Sequence, residues 1–248
     1  MTKYLILLLA FFSFSKASLA SVHFKDASTD SKAQALFDKG MLNYYGYLYV
    51  QAEYDFRQAL MYDPKCALCY WGLAVVKKQE AVELGKPFAT VGYDYIVKAS
   101  QLVVPQNTFQ YDLIKATSKL FSPTPVSSKS LQRAYIDELK GLYSHYKNDP
   151  QWQLENLALL VDAMYYSGVI ADDGLEIPGH CSQHAADQYK KESLELMTPI
   201  LTNSAYPDHP GILHTYIHMA QEQTTNPLGL TVARKLAPFA EAGVSHYA

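Results

Sequence analysis

Residues 36–64 read LFDKGMLNYYGYLYVQAEYDFRQALMYDP, and this stretch decides the fold. Its apolar and small residues recur at three- and four-residue spacing, which is typical of helices that pack against one another. Gly40 lets two helices approach closely, Phe56 fills the gap between them, and Pro64 stops the second helix. The stretch therefore predicts a pair of helices joined by a short turn.

A second copy of this pattern follows 34 residues later. The positions that define the first copy are Leu36, Gly40, Ala52, Phe56, Ala59 and Pro64. In the second copy Tyr70 occupies the position of Leu36 and Ala74 that of Gly40, so the first helix of this copy is in phase with the repeat. Its second helix is in phase only with an insertion near 84–88. Because strand signals are scarce, we predict helices over 32–46, 49–62, 66–81, 88–103, 107–121, 129–147, 151–167, 182–201, 210–223 and 227–240.

Two segments carry a resemblance to a known family, PKCALCYWG at 64–72 and DHPGILHTYIH at 208–218. They resemble segments of exported bacterial tetratricopeptide-repeat (TPR) proteins, a group whose biochemical role is largely unassigned. The resemblance covers most of residues 30–246 and implies an all-α fold, a right-handed solenoid of antiparallel helix pairs. An ordinary helical bundle is the alternative. Similar proteins continue into a further His-rich helix pair, so we expect that this chain is truncated at its C-terminus.

The beginning of the chain has the pattern of a secretory signal. Lys3 precedes an apolar stretch over 4–14, and Ser18-Leu19-Ala20 is small at the positions that a signal peptidase recognises. We therefore predict a signal peptide at 1–20, a polar lead at 21–31 and a TPR-like helical repeat domain at 32–248. The protein is expected to be exported, either periplasmic or secreted, with no membrane span after cleavage.

Composition and motifs exclude several functions. The net charge is −3 and no basic run exceeds two residues, which argues against a nucleic-acid partner. The chain has no phosphate-binding Gly-rich loop, no Gly-x-Ser-x-Gly and no dinucleotide fingerprint. We therefore assign no catalytic residue and regard an enzyme as the less favoured class.

The first functional hypothesis is a scaffold that binds a protein or peptide partner and needs no cofactor. Tyrosine is unusually frequent, with 20 residues, and its amphipathic ring suits partly wet grooves. In repeats of this kind the first helix of each pair lines a concave groove, here with Phe37, Met41, Tyr44, Leu68, Trp71 and Val75. This lining suits an apolar or aromatic peptide or helix. The alternative is that these residues are core, or that another part of the chain fills the groove.

The second hypothesis is a metal-binding protein. His214 and His218 lie four residues apart on a predicted helix, and His180 and His184 repeat that spacing. Such a pair is half of a Zn or Cu site, and the loop at 169–179 would have to bring the two pairs together. An open coordination position on the ion would let it activate water, as in a hydrolase. Alternatively, these histidines are structural and hydrogen-bond to helix ends or buried carbonyls.

The cysteines allow three interpretations. Cys66 and Cys69 form a Cys-x-x-Cys at a predicted helix start, where a redox-active thiolate is stabilised. The pair is otherwise half of a metal site, or two small residues at a repeat junction that form a structural disulfide.

Overall fold

Ten α-helices and no strand occur in the part of the chain that the computed structural model describes, residues 22, 24–104, 108–168, 170, 187–220 and 227–241. The all-α class is therefore confirmed. The helices are α1 (Ser31–Tyr45), α2 (Tyr49–Tyr62), α3 (Ala67–Glu83), α4 (Tyr93–Leu102), α5 (Phe109–Thr117), α6 (Ser128–Tyr146), α7 (Gln153–Tyr166), α8 (Asp187–Thr202), α9 (Pro210–Ala220) and α10 (Pro227–Glu241). A short 3₁₀ helix, Ser118–Leu120, extends α5. The predicted signal peptide, 1–20, lies outside the described residues.

The order of helix packing follows the order of the chain. Each helix packs against the next one, from α1 and α2 through to α9 and α10. Alternate helices are also in contact: α1 with α3, α3 with α5, and α7 with α9. In addition, α1 contacts α9, so the C-terminal part of the chain packs back on its beginning.

One aromatic ring of the quoted stretch lies at a close contact of α1, α2 and α3. A Cβ added to Gly40 on α1 would lie 2.6 Å from the ring of Phe56, and one added to Gly72 on α3 would lie 2.8 Å from the same ring. Phe56 on α2 is fully buried between them. The structure therefore confirms the predicted roles of Gly40 and Phe56. Gly72 contacts the other side of the Phe56 ring.

The connection between α3 and α4 lies where the repeat pattern calls for an insertion. Gly85 adopts a φ of 64°, a left-handed conformation that glycine accepts without strain. Its N–H donates to the carbonyl of Val82, and the N–H of Lys86 donates to that of Ala81, which ends α3 in a Schellman motif. The sequence pattern predicts that the next helix begins at residue 88. Because α3 ends in this turn, α4 begins only at Tyr93.

The contact between α1 and α9 depends on the first turn of α9. Pro210 occupies the first helical position, where its missing N–H costs no hydrogen bond. The Nδ1 atom of His209 accepts the N–H of Ile212 at 3.4 Å and so caps the helix. A Cβ on Gly211 would lie 2.6 Å from Cδ1 of Tyr45, so the absence of a side chain is what lets α9 approach α1.

Candidate functional site

The predicted groove residues are buried inside the protein. Five of them are Phe37, Met41, Tyr44, Trp71 and Val75, and none of these is more than 5% exposed. They correspond to the alternative stated above, that these residues are core, and Phe24 from the segment expected to be a polar lead packs against them. Its ring lies 5.5 Å from that of Phe37 and 5.9 Å from that of Trp71. Partner binding stays a prediction with no surface assigned to it.

Two acids of α7 are hydrogen-bonded to tyrosines at the end of α1. The hydroxyl of Tyr44 donates to Oδ2 of Asp162 at 2.8 Å, and that of Tyr45 donates to Oε2 of Glu155 at 2.8 Å. His209 joins this second contact, with Nε2 3.2 Å from the same Glu155 oxygen. Because Nδ1 of His209 accepts an N–H, Nε2 carries the ring proton and faces the carboxylate. Two adjacent tyrosines of α1 are thus bonded to two acids of α7.

His214 and His218 meet where α9 touches the end of α1. His214 is 2% exposed, and its Nδ1 lies 2.7 Å from the backbone carbonyl oxygen of Tyr45. Since a carbonyl only accepts, Nδ1 of His214 carries the proton and Nε2 presents its lone pair. That Nε2 atom lies 2.8 Å from Nε2 of His218, which donates to it in the neutral pair.

Tyrosine rings surround the histidine pair. We call Tyr47, Tyr165, His214 and His218 the tyrosine–histidine cluster. The ring of Tyr47 lies 4.2 Å from that of His214 and 5.6 Å from that of His218, while the ring of Tyr165 lies 5.2 Å from that of His218. Tyr47 has a φ of 58°, a left-handed conformation that is uncommon for a bulky residue. The strained turn between α1 and α2 is what places this ring against the histidines.

A buried ammonium group lies near the acid of α7. Nζ of Lys78 donates to Oε1 of Gln79 at 3.0 Å and lies over the ring of Tyr166 at 5.3 Å. Burial lowers the pKa of Lys78 from its ordinary 10.5 to about 8, although the charge of Asp162 partly offsets the effect. Burial raises the pKa of Asp162 from 3.8 to about 6, against the charge of Lys78 and the hydrogen bond from Tyr44. Folding therefore disfavours the charged form of both side chains.

Phenol hydroxyls continue this polar network. The hydroxyl oxygens of Tyr49 and Tyr166 are 2.7 Å apart, and Tyr166 donates to Oε1 of Glu83 at 3.2 Å. Tyr49 is therefore the donor in the pair. Burial raises the pKa of both tyrosines well above 10, so neither is a source of phenolate at neutral pH.

The cysteine pair is bonded and stands apart from the histidines. Cys66 and Cys69 form a disulfide with an S–S distance of 1.97 Å. Cys66 is the N-cap of α3, and its sulfur accepts the N–H of Cys69 at 3.0 Å. Among the three interpretations, this arrangement does not correspond to half of a metal site, since the sulfurs bind each other.

Sequence reasoning did not assign the residues around the histidine pair. Tyr47 and Tyr165 in the cluster, and Glu155 and Asp162 on α7, were not predicted as site residues. The one available signal was the density of tyrosines over 44–49, four in six positions. His180 and His184, predicted to approach His214 and His218, lie outside the described residues. Within the described part of the chain, no group of three or more His, Cys, Asp or Glu side chains is placed to hold a metal ion.

Comparison with known proteins adds no assignment. No family model, no curated protein and no solved structure matches this chain. None of the helices in the described ranges is both long and apolar enough to cross a bilayer. The described residues therefore define an all-helical protein with a partly buried tyrosine–histidine cluster.

Proposed function

We propose that the protein binds a transition-metal ion through His214 and His218. The observation that carries this proposal is the convergence of the two Nε2 atoms to 2.8 Å. Two nitrogens on a tetrahedral zinc ion, each at about 2.0–2.1 Å, lie roughly 3.4 Å apart. The rings need to separate by only about half an ångström to hold such an ion between them.

The hydrogen bond from His214 to Tyr45 supports the proposal. Histidines that bind metals usually donate their other ring N–H to a carbonyl or carboxylate, which fixes the tautomer and the direction of the lone pair. Nδ1 of His214 has such a partner in the Tyr45 carbonyl at 2.7 Å. For His218 to bind through Nε2, its ring proton must occupy Nδ1, which changes the tautomer but not the charge.

The donor type sets the class of metal. Neutral imidazole nitrogens suit Zn, Cu and Ni ions, whereas Mg and Ca prefer oxygen ligands. Two imidazoles do not complete a coordination shell, and the sequence offers His180 and His184 for the further positions. A complete shell gives a structural site, and an open position gives one that activates water.

The experiment is elemental analysis of the protein purified without an affinity tag, followed by titration with Zn²⁺ and Cu²⁺. We expect about one ion per chain, and His218→Gln should weaken binding by about 10- to 100-fold or more. His145→Gln, on an exposed position of α6, is the matched control and should bind like the wild type. Less than roughly one ion per ten chains, with no uptake on titration, would contradict the proposal.

The contribution of the second histidine pair is tested separately. His180→Gln and His184→Gln should each lower affinity if these side chains complete the shell. If both variants bind metal like the wild type, the ion is held at His214 and His218 with ligands other than these two.

We also infer that the helices wind as a right-handed solenoid of antiparallel pairs, as the TPR resemblance implies. The packing of each helix on the next, together with the contacts between α1, α3 and α5, supports this arrangement. We propose in addition that the protein is exported to the periplasm or secreted. The Cys66–Cys69 disulfide supports this location, because disulfides persist in oxidising compartments.

A further inference from the structure

A cavity of about 300 Å³ lies beside the disulfide, far along the chain from the histidines. Three segments form its walls: 26–29 ahead of α1, 63–68 around the start of α3, and 102–104 with Thr108 and Gln110. Cys66 is among the lining residues and Cys69 is not. A molecule inside this cavity therefore contacts Cys66 and not Cys69.

Cys66 has the surroundings of a reactive sulfur. It caps the N-terminus of α3, and its Sγ accepts the N–H of Cys69 at 3.0 Å. In the reduced protein an N–H donor and the positive end of a helix stabilise the thiolate of Cys66, which makes Cys66 the nucleophile toward a small disulfide. In the oxidised protein the same stabilisation favours Cys66 as a leaving group, so attack on Cys66 is decided by access and not by the thiolate. Cys66 and Cys69 are only 2% and 0% exposed, and the cavity offers an approach to Cys66.

The walls of the cavity are held in place by hydrogen bonds. Nε2 of Gln110 donates to the backbone carbonyls of Lys25 and Asp26 at 2.9 and 3.1 Å. The hydroxyl of Ser28 donates to Oδ2 of Asp63, which joins two of the lining segments. The space therefore exists without a ligand and does not have to be opened by one.

The size and charge of the cavity define what it accepts. Its volume is at the lower end for small-molecule sites, which selects a compact molecule. The charged side chains at its walls are those of Asp26, Asp63 and Lys65, two acids and one base. An anionic molecule is therefore disfavoured relative to a neutral or zwitterionic one.

We propose that Cys66 is a thiol–disulfide exchange site that takes a small neutral or zwitterionic thiol through this cavity. The thiolate of the incoming molecule attacks Sγ of Cys66 and forms a mixed disulfide there. The Cys66–Cys69 bond breaks, and its electron pair goes to Sγ of Cys69. Cys69 takes up the proton that the incoming thiol released, so the exchange is balanced and needs no further oxidant or reductant. In the reverse step Cys69 attacks the mixed disulfide and expels the thiol.

The test uses the full chain with cysteine as the zwitterionic probe and 2-mercaptoethanesulfonate as the anionic one. Samples are quenched with acid, free thiols are alkylated, and mass spectrometry locates the modified residue. We expect the mixed disulfide at Cys66 and the alkyl group at Cys69. The anionic thiol should react at least about tenfold more slowly than cysteine. A mixed disulfide at Cys69, or exchange only after the chain is unfolded, would overturn the proposal.

Single-cysteine variants avoid the reverse step. Cys69→Ser incubated with cystine should gain one cysteine at Cys66, whereas Cys66→Ser should leave Cys69 unmodified until denaturant is added. Circular dichroism establishes that both variants are folded. Equal modification of the two variants in the folded state would show that the cavity does not select Cys66.

A pair of bulky substitutions tests the route. Val104 lines the cavity and is 63% exposed, so Val104→Trp should block the entrance with little effect on the core. Val91, 43% exposed and not among the lining residues, provides Val91→Trp as the matched control. Exchange at Cys66 should be about tenfold slower in Val104→Trp only. Equal rates in the two variants would refute access through this cavity.

Discussion

At the level of single residues, Lys78 and Asp162 give the protein a specific dependence on pH. The folded pKa of Asp162, about 6, is above its ordinary 3.8, so the folded chain holds this proton more tightly than the unfolded chain. Its contribution to stability is full below pH 3.8 and is lost as the pH rises through 6. The folded pKa of Lys78, about 8, is below its ordinary 10.5. Its contribution is full above pH 10.5 and is lost as the pH falls through 8.

Asp162→Asn tests the acidic part of this dependence. The amide oxygen of asparagine still accepts the hydroxyl of Tyr44, so the main change is the loss of a titrating group. In the wild type the free energy of unfolding should fall by roughly 3 kcal/mol between pH 4 and 6 from this group alone. Urea unfolding at several pH values should show that the fall is absent in Asp162→Asn.

The control for this experiment is Asp137→Asn, on the exposed side of α6. It removes one carboxylate without a change in the interior, so its curve should run parallel to that of the wild type. If Asp162→Asn also ran parallel over pH 4 to 6, the buried acid would not be the source of the dependence.

At the level of helices, the contact of α1, α2 and α3 depends on one ring between two glycines. Phe56 lies between Gly40 and Gly72, and a Cβ on Gly40 would be 2.6 Å from the ring. Gly40→Ala should therefore lower the free energy of unfolding by about 1–3 kcal/mol despite the better helix propensity of alanine. Gly141→Ala is the control, because a Cβ there meets nothing within 4 Å, and it should raise stability by about 0.5–1 kcal/mol.

A double-mutant cycle identifies the cause of the Gly40 effect. Phe56→Ala alone should cost about 3–5 kcal/mol, because it leaves a cavity in the core. Without the ring, Gly40→Ala has room for its methyl group and should become neutral or stabilising. If Gly40→Ala cost the same in both backgrounds, the contact with Phe56 would not explain it.

These helices show which features local sequence encodes. The spacing of Gly40, Phe56 and Pro64 predicts the first helix pair, because short helices packed through small residues leave a local pattern. The spacing of His214 and His218 likewise predicts that both rings lie on one side of α9, since residues four apart share a face. These predictions depend only on helix periodicity, which is why the structure agrees with them.

Other features depend on contacts between distant segments, which leave no local pattern. Phe24 packs against residues expected to line a groove, yet it stands in a short segment whose polar neighbours predict a surface lead. Tyr47 adopts a left-handed conformation that its residue type disfavours, because tertiary packing against the histidine rings overrides the local preference. The approach of α9 to α1 joins residues far apart in the sequence, so a repeat pattern with open ends does not predict it.

At the level of the whole molecule, the contact between α1 and α9 links stability to the proposed metal site. The same end of α1 supplies the ring that packs on Gly211 and the carbonyl that fixes the His214 tautomer. A change that separates these helices should therefore affect both properties together. This link sets α9 apart, because α9 itself carries both histidines.

Gly211→Ala tests the link, because its Cβ would lie 2.6 Å from Cδ1 of Tyr45 and would push α9 away from α1. We expect a loss of about 1–3 kcal/mol in the free energy of unfolding. Hydrogen exchange should be faster in α9 and at the end of α1, while α3 and α4 keep their protection. Metal affinity should fall by about tenfold or more, since the Tyr45–His214 hydrogen bond is stretched. Gly40→Ala lowers stability through Phe56 instead and should leave metal affinity unchanged, so equal losses of affinity in the two variants would mean that the α1–α9 contact does not control the site.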